Sequence, residues 1–498
     1  MSLDWTAVMT TALVTLLVVF VLVGTVPVWA TALQYAVLPF HAVINHYGKA
    51  GYACPRVAVI VPAWNEALVL GAAIDRLLRL DYPPDRLRIY VVDDASTDAT
   101  PEVVRALALA HPGRVVHLRR DRGGEGKAHT LNHGISIVLA EPWAEAILIM
   151  DADVIFAADS LRKMTRHFAD PKVGAVTAYI AEGSADRNAI TRFIGIEYVM
   201  AQLGSRRAQN VLGAIACLAG GAQLHTRANL EAIGGRIPTG TLAEDTMATF
   251  ESQLRGRRMV FEPHALVLAE EPRTIRALWK QRLRWARGNV QVTKHYRQLW
   301  FRPSRTHRLG GIAFGLIWFS VLLLPVMMVL AAVGLVGLMW LHSSLAAFVF
   351  SLMWIAAAVV YVYSMLVAVQ LDPRTGLRSW REAILFPGIG SLILMAVAIS
   401  PPLVELVWAQ LGVVVEGSTE LALLVAMYVW GPVAMLGAWL ARVVEPVPVL
   451  GWLLSRVLLY VVGYGSLLCA ITVDAYVQEW RRADMTWSKT EKVGRVLG

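Results

Sequence analysis

Between Asp4 and Lys49 the chain carries no Asp, Glu, Lys or Arg. A stretch that long without charge does not make the surface of a soluble domain. About 20 apolar residues span a bilayer as a helix, so Thr6 to Ala30 supplies one crossing. The residues to about Tyr47 extend that helix or lie in the interface. A cleavable signal peptide would open on positive charge, which Met1 to Trp5 lacks despite the small-residue run Ala30-Thr31-Ala32. Five further apolar segments follow, at about 311–341, 345–371, 383–412, 419–443 and 447–478. With 56% hydrophobic and only 17% charged residues, and a mean hydropathy of +0.52, the chain calls for lipid as part of its solvent.

The net charge of +9 is concentrated in one place. Pro272 to Leu309 holds eleven basic residues and no acidic one, while Gly310 to the end balances ten against ten. This basic collar lies just ahead of the first C-terminal apolar segment. The positive-inside rule therefore assigns it to the cytoplasmic face, with anionic membrane lipid as its neighbour. The rest of the polar part is slightly acidic, which argues against a nucleic-acid partner. More basic residues mark the 372–381 loop and the tail (Arg481, Arg482, Lys489, Lys492, Arg495), and Glu416 and Glu420 mark another loop. If the polar unit and the tail share one side, the crossings between them are even in number. Segment 383–412, interrupted by Pro387, Pro401 and Pro402, is then the one expected not to cross. Cys54, Cys217 and Cys469 are too scattered for a disulfide framework or a zinc site, and read as buried apolar residues.

Residues 49–309 alternate short apolar runs with helical spacing. Val57–Val61, Leu87–Val92, Val115–Leu118 and Ala146–Met150 are strand candidates. Ala67–Leu80 and a segment starting at Thr97 or Thr100 are helix candidates. This alternation predicts βαβ units around a buried parallel sheet. Asp93-Asp94 and Asp151-Ala152-Asp153 then fall at carboxyl ends of strands, where open α/β sheets bind ligands. Two carboxylates one residue apart suit a hard divalent cation shared with substrate phosphates, although Asp-x-Asp is also an ordinary surface turn.

Arg122 to Lys127 (Arg-Gly-Gly-Glu-Gly-Lys) fails the Walker pattern at Asp121 and Ala128. It either cradles an anion at a helix start or is a flexible turn. Glu244-Asp245, between the loop Gly234–Gly240 and a helical run Thr246–Leu254, offers a base for an attacking hydroxyl or simply complements the helix dipole. In Gln281-Arg282-Leu283-Arg284-Trp285, helical spacing puts Gln281, Arg284 and Trp285 on one face. That face suits a diphosphate and a stacked sugar ring, or else a headgroup layer.

Together these segments resemble the GT-A glycosyltransferases of family 2. The resemblance is narrower to the membrane-embedded branch of cellulose, hyaluronan, chitin-oligosaccharide and poly-N-acetylglucosamine synthases. It rests on Val61 to Glu66, Val92 to Ser96, Gly126-Lys127-Ala128 with Leu131-Asn132, Asp151 to Asp153, Gly220-Gly221, Glu244-Asp245 and Gln281 to Trp285, in that order. It implies a Rossmann-like GT-A α/β domain on the cytoplasmic side, joined to an all-α transmembrane region of the plasma membrane. The implied division is an anchor at 1–48, a catalytic domain at 49–271, basic interfacial helices at 272–309, a transmembrane region at 310–478 and a tail at 479–498.

By the same resemblance Pro62, Glu66 and Asp94 hold the nucleoside and Lys127 the diphosphate, with Asp93 and Glu244 among the substrate-binding residues. Asp151 and Asp153 handle donor and metal (Mg²⁺ or Mn²⁺), with Asp153 the direct ligand. Asp245, beside Glu244, is the general base. Gln281 and Arg284 hold the diphosphate, and Trp285 stacks on the acceptor. Ala243 and Ala95 depart from the Thr and Gly frequent in polymer synthases, and aromatic residues are missing around Gly220-Gly221. Arg206 to Gln209 and Trp487 to Lys492 lean towards the poly-N-acetylglucosamine-like members.

The implied reaction is inverting transfer from a UDP-sugar, UDP-N-acetylglucosamine or UDP-glucose, to a growing β-linked polysaccharide exported through the chain's own helices. An alternative is single-sugar transfer to a lipid-linked acceptor. A more distant one is a transporter with a regulatory domain, which the few intramembrane charges (Glu405, Arg456, Asp474) do little to support. Accessory subunits are left open.

Overall fold

The computed structural model describes residues 4–341, 343–402, 409–410, 417–485 and 496. The chain forms two compact units, Met1–Leu33 with Leu316–Val477, and Gln34–Gly315 with Gln478–Gly498. The second is built on eight strands: β1 (Val57–Ala63), β2 (Leu87–Asp93), β3 (Val115–Arg119), β4 (Ala146–Ile149), β5 (Val154–Phe156), β6 (Val173–Glu182), β7 (Gln223–Thr226) and β8 (Arg258–Ala269). Their order in the sheet is β3-β2-β1-β4-β7-β6-β8-β5.

The parallel sheet expected from sequence is found in half of it. β3, β2, β1 and β4 run parallel, linked by helices Ala67–Leu78, Thr100–Ala110 and Lys127–Ala140. The other half is mixed, because the helical stretch after β6, Ala189 to Leu212, leaves the chain at the end of the sheet it came from. β7 therefore runs back against both β4 and β6. β5 runs against β8 because the chain turns directly after β4, while β6 and β8 run parallel to each other. The fold is a GT-A-type mixed sheet. Continuous apolar runs allow burial on both faces: Val57 to Val61 and Ala146 to Met150 are all 0% exposed. Gly134 lets its helix press on the sheet, since a Cβ there would stand 2.8 Å from Val92 Cγ2.

Consecutive connections place β2 on one side of β1 and β4 on the other. The crevice outside their carboxyl ends is the topological switch point. Both acidic pairs reach it, one from the end of β2 and one just after β4.

The first unit is helical. Trp5–Lys49, an α-helix to Val37 followed by two short 3-10 turns, and Leu345–Leu371 are long and apolar enough to cross a membrane by length and composition. Three other apolar pairs are each bent at a break: Ile312–Leu322 with Leu324–Trp340 by 75°, Ser418–Tyr428 with Trp430–Val444 by 72°, and Leu450–Val462 with Tyr464–Trp480 by 100°. Pro and Gly mark the bends: Pro325, Gly431-Pro432, and Gly463 at φ +87°. Breaks were expected from sequence only in 383–412. Its described helix, Ile389–Ile399, is 11 residues long, about 16 Å against a hydrocarbon core of about 30 Å. Glu405, Glu416 and the tail segment Trp487 to Lys492 lie outside the described residues. Gly334 and Gly337 admit Leu17 and Val21 of the N-terminal helix, with a Cβ on Gly334 meeting Leu17 O at 2.6 Å. Arg442 pairs with Asp474 at 3.3 Å.

Candidate active site

β1 ends at Pro62-Ala63, and the turn beyond it carries Glu66 to the start of the next helix. That turn is tied to the loop after β2. Glu66 N–H donates to Thr100 Oγ1 (2.8 Å), Asn65 N–H to Ser96 Oγ (3.0 Å), and Thr97 N–H to Asn65 Oδ1 (2.8 Å). Ala95 sits at φ +55°, in the left-handed region that costs a non-glycine residue roughly 1–2 kcal/mol. This gives a physical reason for the glycine that relatives of the motif favour there.

The two acids of the first pair separate, because neighbouring residues at a strand end face opposite ways. Asp94 lines the cleft, accepts Gly124 N–H at 3.1 Å and pairs with Arg120. Asp93 does not line it. Its carboxylate, 0% exposed, accepts from Ser96 N–H at 2.8 Å and Arg119 Nη1 at 2.6 Å, bracing the loop from behind.

Lys127 opens its helix behind Gly126, whose φ of +105° only glycine adopts readily. Its ammonium pairs with Asp151, donates to Gly220 O at 3.2 Å and stands 3.9 Å from Glu244. Burial disfavours its charge, but Asp151 and Glu244 outweigh that and hold its pKa above the ordinary lysine value. Glu244 and Asp245 occupy the first turn of helix Glu244–Leu254, which starts two residues earlier than the spacing suggested. Burial first, then the charge of Asp245, push the Glu244 carboxyl up, while Lys127 and Arg284 pull it back. Gly220 holds the group together: a Cβ there would stand 3.1 Å from Lys127 Nζ and 3.2 Å from Asp245 Oδ2.

Helix Ile275–His295, capped by Thr274, turns Gln281, Arg284 and Trp285 into the same cleft. The residue between them was not anticipated as structural. Arg282, 5% exposed, grips Glu197 (Nη2–Oε2 2.8 Å, Nε–Oε1 3.2 Å), and its guanidinium carbon lies 4.0 Å from the Trp285 ring centroid. Arg287 is likewise turned inward, to Glu479 at 2.7 Å and Ala483 O at 2.7 Å. Part of the basic collar thus serves internal pairing and does not face lipid.

The cleft has a volume of about 480 Å³. It gathers Pro62, Glu66, Asp94, Lys127, Asp151, Asp153, Glu244, Asp245, Gln281, Arg284 and Trp285. Sequence reading did not assign Glu197, Tyr198, Glu270 and Glu271, which also line it. They sit in no recognisable spacing: Glu197 and Tyr198 end the helix Ala189–Tyr198, which packs on β6, and Glu270 and Glu271 directly follow β8. Tyr198 OH donates to Glu271 at 2.7 Å.

Among the described residues no three His, Cys, Asp or Glu side chains converge on a point where a metal would sit. Asp151 and Asp153 offer two carboxylates on an open wall. That donor set fits a hard cation completed by diphosphate oxygens and water, not an all-protein cage.

Residues 55–288 match the family model described as "Glycosyltransferase like family 2". Among curated proteins, the chain is 29% identical over 326 residues to "Probable glycosyltransferase YdaM" of Bacillus subtilis, covering 64% of this chain and 75% of that one. It is 33% identical to a β-monoglucosyldiacylglycerol synthase of Synechocystis, covering 48% of each chain. It is 29% identical to a poly-β-1,6-N-acetyl-D-glucosamine synthase of Staphylococcus epidermidis, covering 47% of this chain and 55% of that one. The matches to these last two span about half of the relatives' length. A mannosyltransferase from Pyrobaculum calidifontis, solved with GDP-Man and Mn²⁺, shares the fold at TM-score 0.50 and 23% identity, covering 73% of this chain and 99% of that one.

Proposed function

We infer the activity from one premise: the chain is a glycosyltransferase, and residues 55–288 form its GT-A domain of family 2. We propose that it transfers a hexose from a UDP-sugar, with inversion, to a β-linked glycan at the membrane surface. The observation that carries this reading is the meeting of Lys127, Asp151, Asp153, Asp245, Arg284 and Trp285 in one cleft at the switch point.

The cleft suits the following division of work. Pro62, Glu66 and Asp94 hold the nucleoside, and Lys127 and Arg284 the diphosphate. Asp245 takes the proton of the acceptor hydroxyl as its oxygen bonds to the anomeric carbon. The bond from that carbon to the diphosphate breaks on the opposite side, and UDP leaves carrying the electron pair. Trp285 offers a face for the acceptor ring, and Gln281 steadies the diphosphate side. Asp153 and Asp151 would hold Mg²⁺ or Mn²⁺, which supplies neutralising charge to the departing diphosphate.

Membrane attachment follows from the two long apolar helices. We further propose a multi-pass arrangement in the plasma membrane, with the basic window 272–309 on the cytoplasmic side. If each bent pair is one span, four crossings follow residue 310, the even number that keeps the catalytic unit and the tail on one side. Processive synthesis with export through these helices is the reading we favour. Single-sugar transfer to a lipid is the second, motivated by the identity to the β-monoglucosyldiacylglycerol synthase.

The test is purified protein with UDP-glucose or UDP-N-acetylglucosamine, Mg²⁺ or Mn²⁺ and membrane lipid, with products sized by gel and mass spectrometry. A ladder of long products supports synthesis. Only one-sugar lipid products would leave the second reading, and no UDP release from any donor would defeat both.

A further inference from the structure

The wall of the cleft opposite the nucleoside end contains an arginine that none of these roles uses. After helix Ala189–Tyr198 the chain widens into a π-helix, Val199–Arg206, an uncommon geometry found mostly at functional sites. Gln202 and Arg206 of this segment line the cleft. The Gln202 amide oxygen accepts Ile180 N–H of β6 at 3.1 Å and Arg206 Nη1 at 3.0 Å. The Arg206 guanidinium carbon lies 5.8 Å from the ring centroid of Phe261 in β8. A guanidinium has five N–H donors. Among the described residues, Arg206 gives a hydrogen bond to one protein acceptor, Gln202 Oε1. Burial holds its pKa below the ordinary arginine value, and Cys217 and Asp245 offset this only in part. A cation half-buried on a cavity wall with donors to spare is placed for a ligand.

Sheet order says which part of the ligand. Asp94 is at the end of β2, and Asp151 and Asp153 follow β4. Arg206 is anchored over β6 and β8, four strands across from β2, or roughly 19 Å at the usual strand spacing. The nucleoside and diphosphate occupy the β2 to β4 side, so Arg206 faces the sugar end, on the side of the proposed base. The same wall is touched by the end of the N-terminal apolar helix. Ser205 Oγ donates to Gln34 Oε1, and a Cβ on Gly204 would stand 3.4 Å from Tyr35 Oη.

Charge narrows the ligand class. Nine carboxylates line the cleft against three basic side chains, Lys127, Arg206 and Arg284. Arg120 and Arg282, behind the wall, offset only Asp94 and Glu197. A cation and a diphosphate can share such a wall, but an anionic acceptor meets net repulsion there. We propose that Arg206 binds the acceptor: it donates hydrogen bonds to neutral oxygens, hydroxyl or acetamido carbonyl, of the sugar whose hydroxyl Asp245 deprotonates. This assignment rests on the proposed glycosyltransferase reaction.

The test compares wild type, Arg206→Lys, Arg206→Gln and Arg206→Met as full-length proteins in lipid nanodiscs, with thermal unfolding and UDP affinity measured alongside. UDP-glucose and UDP-N-acetylglucosamine serve as donors. The acceptor probes are 4-nitrophenyl β-D-glucoside, the corresponding N-acetylglucosaminide and the β-D-glucuronide. Loss of a charge-assisted hydrogen bond predicts an acceptor KM raised about tenfold or more in Arg206→Met and Arg206→Gln, with partial retention in Arg206→Lys. Donor KM and UDP affinity stay at wild-type values. Wild type uses the neutral glycosides well ahead of the glucuronide. A rise in donor KM in place of acceptor KM, an unchanged acceptor KM, or equal use of the glucuronide would each overturn the assignment. Wild type that releases no UDP would overturn the underlying reaction instead, and the assignment with it.

Discussion

Lys127 and Asp151 form an ion pair inside the cleft, the ammonium also reaching Gly220 O at 3.2 Å and standing 3.9 Å from Glu244. If Lys127 holds the donor diphosphate as proposed, donor binding exchanges these acids for phosphate oxygens. Lys127→Met leaves several carboxylates facing the diphosphate with one cation fewer. UDP affinity should fall by about ten- to a hundredfold, read by calorimetry at fixed Mg²⁺. An unchanged affinity would remove Lys127 from the donor site.

Asp245→Asn keeps the shape of the first turn of its helix and removes the proposed proton acceptor. Transfer should fall by roughly 10²–10⁴ while UDP binding stays within about twofold of wild type. Equal loss of both would mean that Asp245 holds the donor and is not the base.

Much of this site was legible in the sequence, because chemistry at strand ends and helix starts shows up as short, ordered motifs. Asp94, Lys127, Asp151, Asp153, Asp245 and the face Gln281, Arg284 and Trp285 line one cleft: the strand-end acids and the helix face came from spacing, their joining into one site from the family resemblance. Asp93 was grouped with Asp94, since a pair of acids does not reveal which one a strand end turns inward. The reversal of β7 in the other half of the sheet was hidden for a related reason. Strand direction depends on where the helices between β6 and β7 leave the chain, and Gln223–Thr226 is only four residues long. Arg282 and Arg287 read as lipid-facing by composition, but their partners, Glu197 and Glu479, are far away in sequence.

Gly220→Ala should damage catalysis more than stability. The added methyl would press within 3.1 Å of Lys127 Nζ and 3.2 Å of Asp245 Oδ2, so both charged ends must shift. A misplacement of about 1 Å at a reacting centre costs about a hundredfold in rate, so a shift of a few tenths of an ångström should cost less, roughly severalfold. kcat should drop with the melting temperature little changed. Equal losses in both would point to a packing role alone.

Asp153→Ala should shift the metal requirement. Removing one of two wall carboxylates weakens a phosphate-shared cation, so the Mn²⁺ concentration for half-maximal rate should rise by about tenfold. Chelation with EDTA should stop the wild type and added Mg²⁺ or Mn²⁺ should restore it. Full activity in EDTA would rule out metal dependence.

Away from the cleft, Glu262 sets a pH dependence of stability. It lies at a register shift between β6 and β8, fully buried, and accepts from His167 Nε2 at 2.9 Å, Tyr47 Oη at 3.1 Å, His264 N–H at 2.9 Å and Arg166. Burial alone would raise its pKa, but these donors, His167 first, bring it down to about 2. A folded-state pKa below the unfolded value of 4.5 means the stabilisation is present above pH 4.5 and is lost as pH falls towards 2. Its size is about 3 kcal/mol by linkage. Glu262→Gln should therefore unfold at a lower temperature than wild type at pH 6, and the gap should close between pH 4.5 and 2. Because Tyr47 lies just past the N-terminal apolar helix, the same variant should expose residues 38–49 to limited proteolysis at neutral pH. A gap in unfolding temperature that stays constant with pH would show that packing, and not the ionised carboxylate, accounts for the loss.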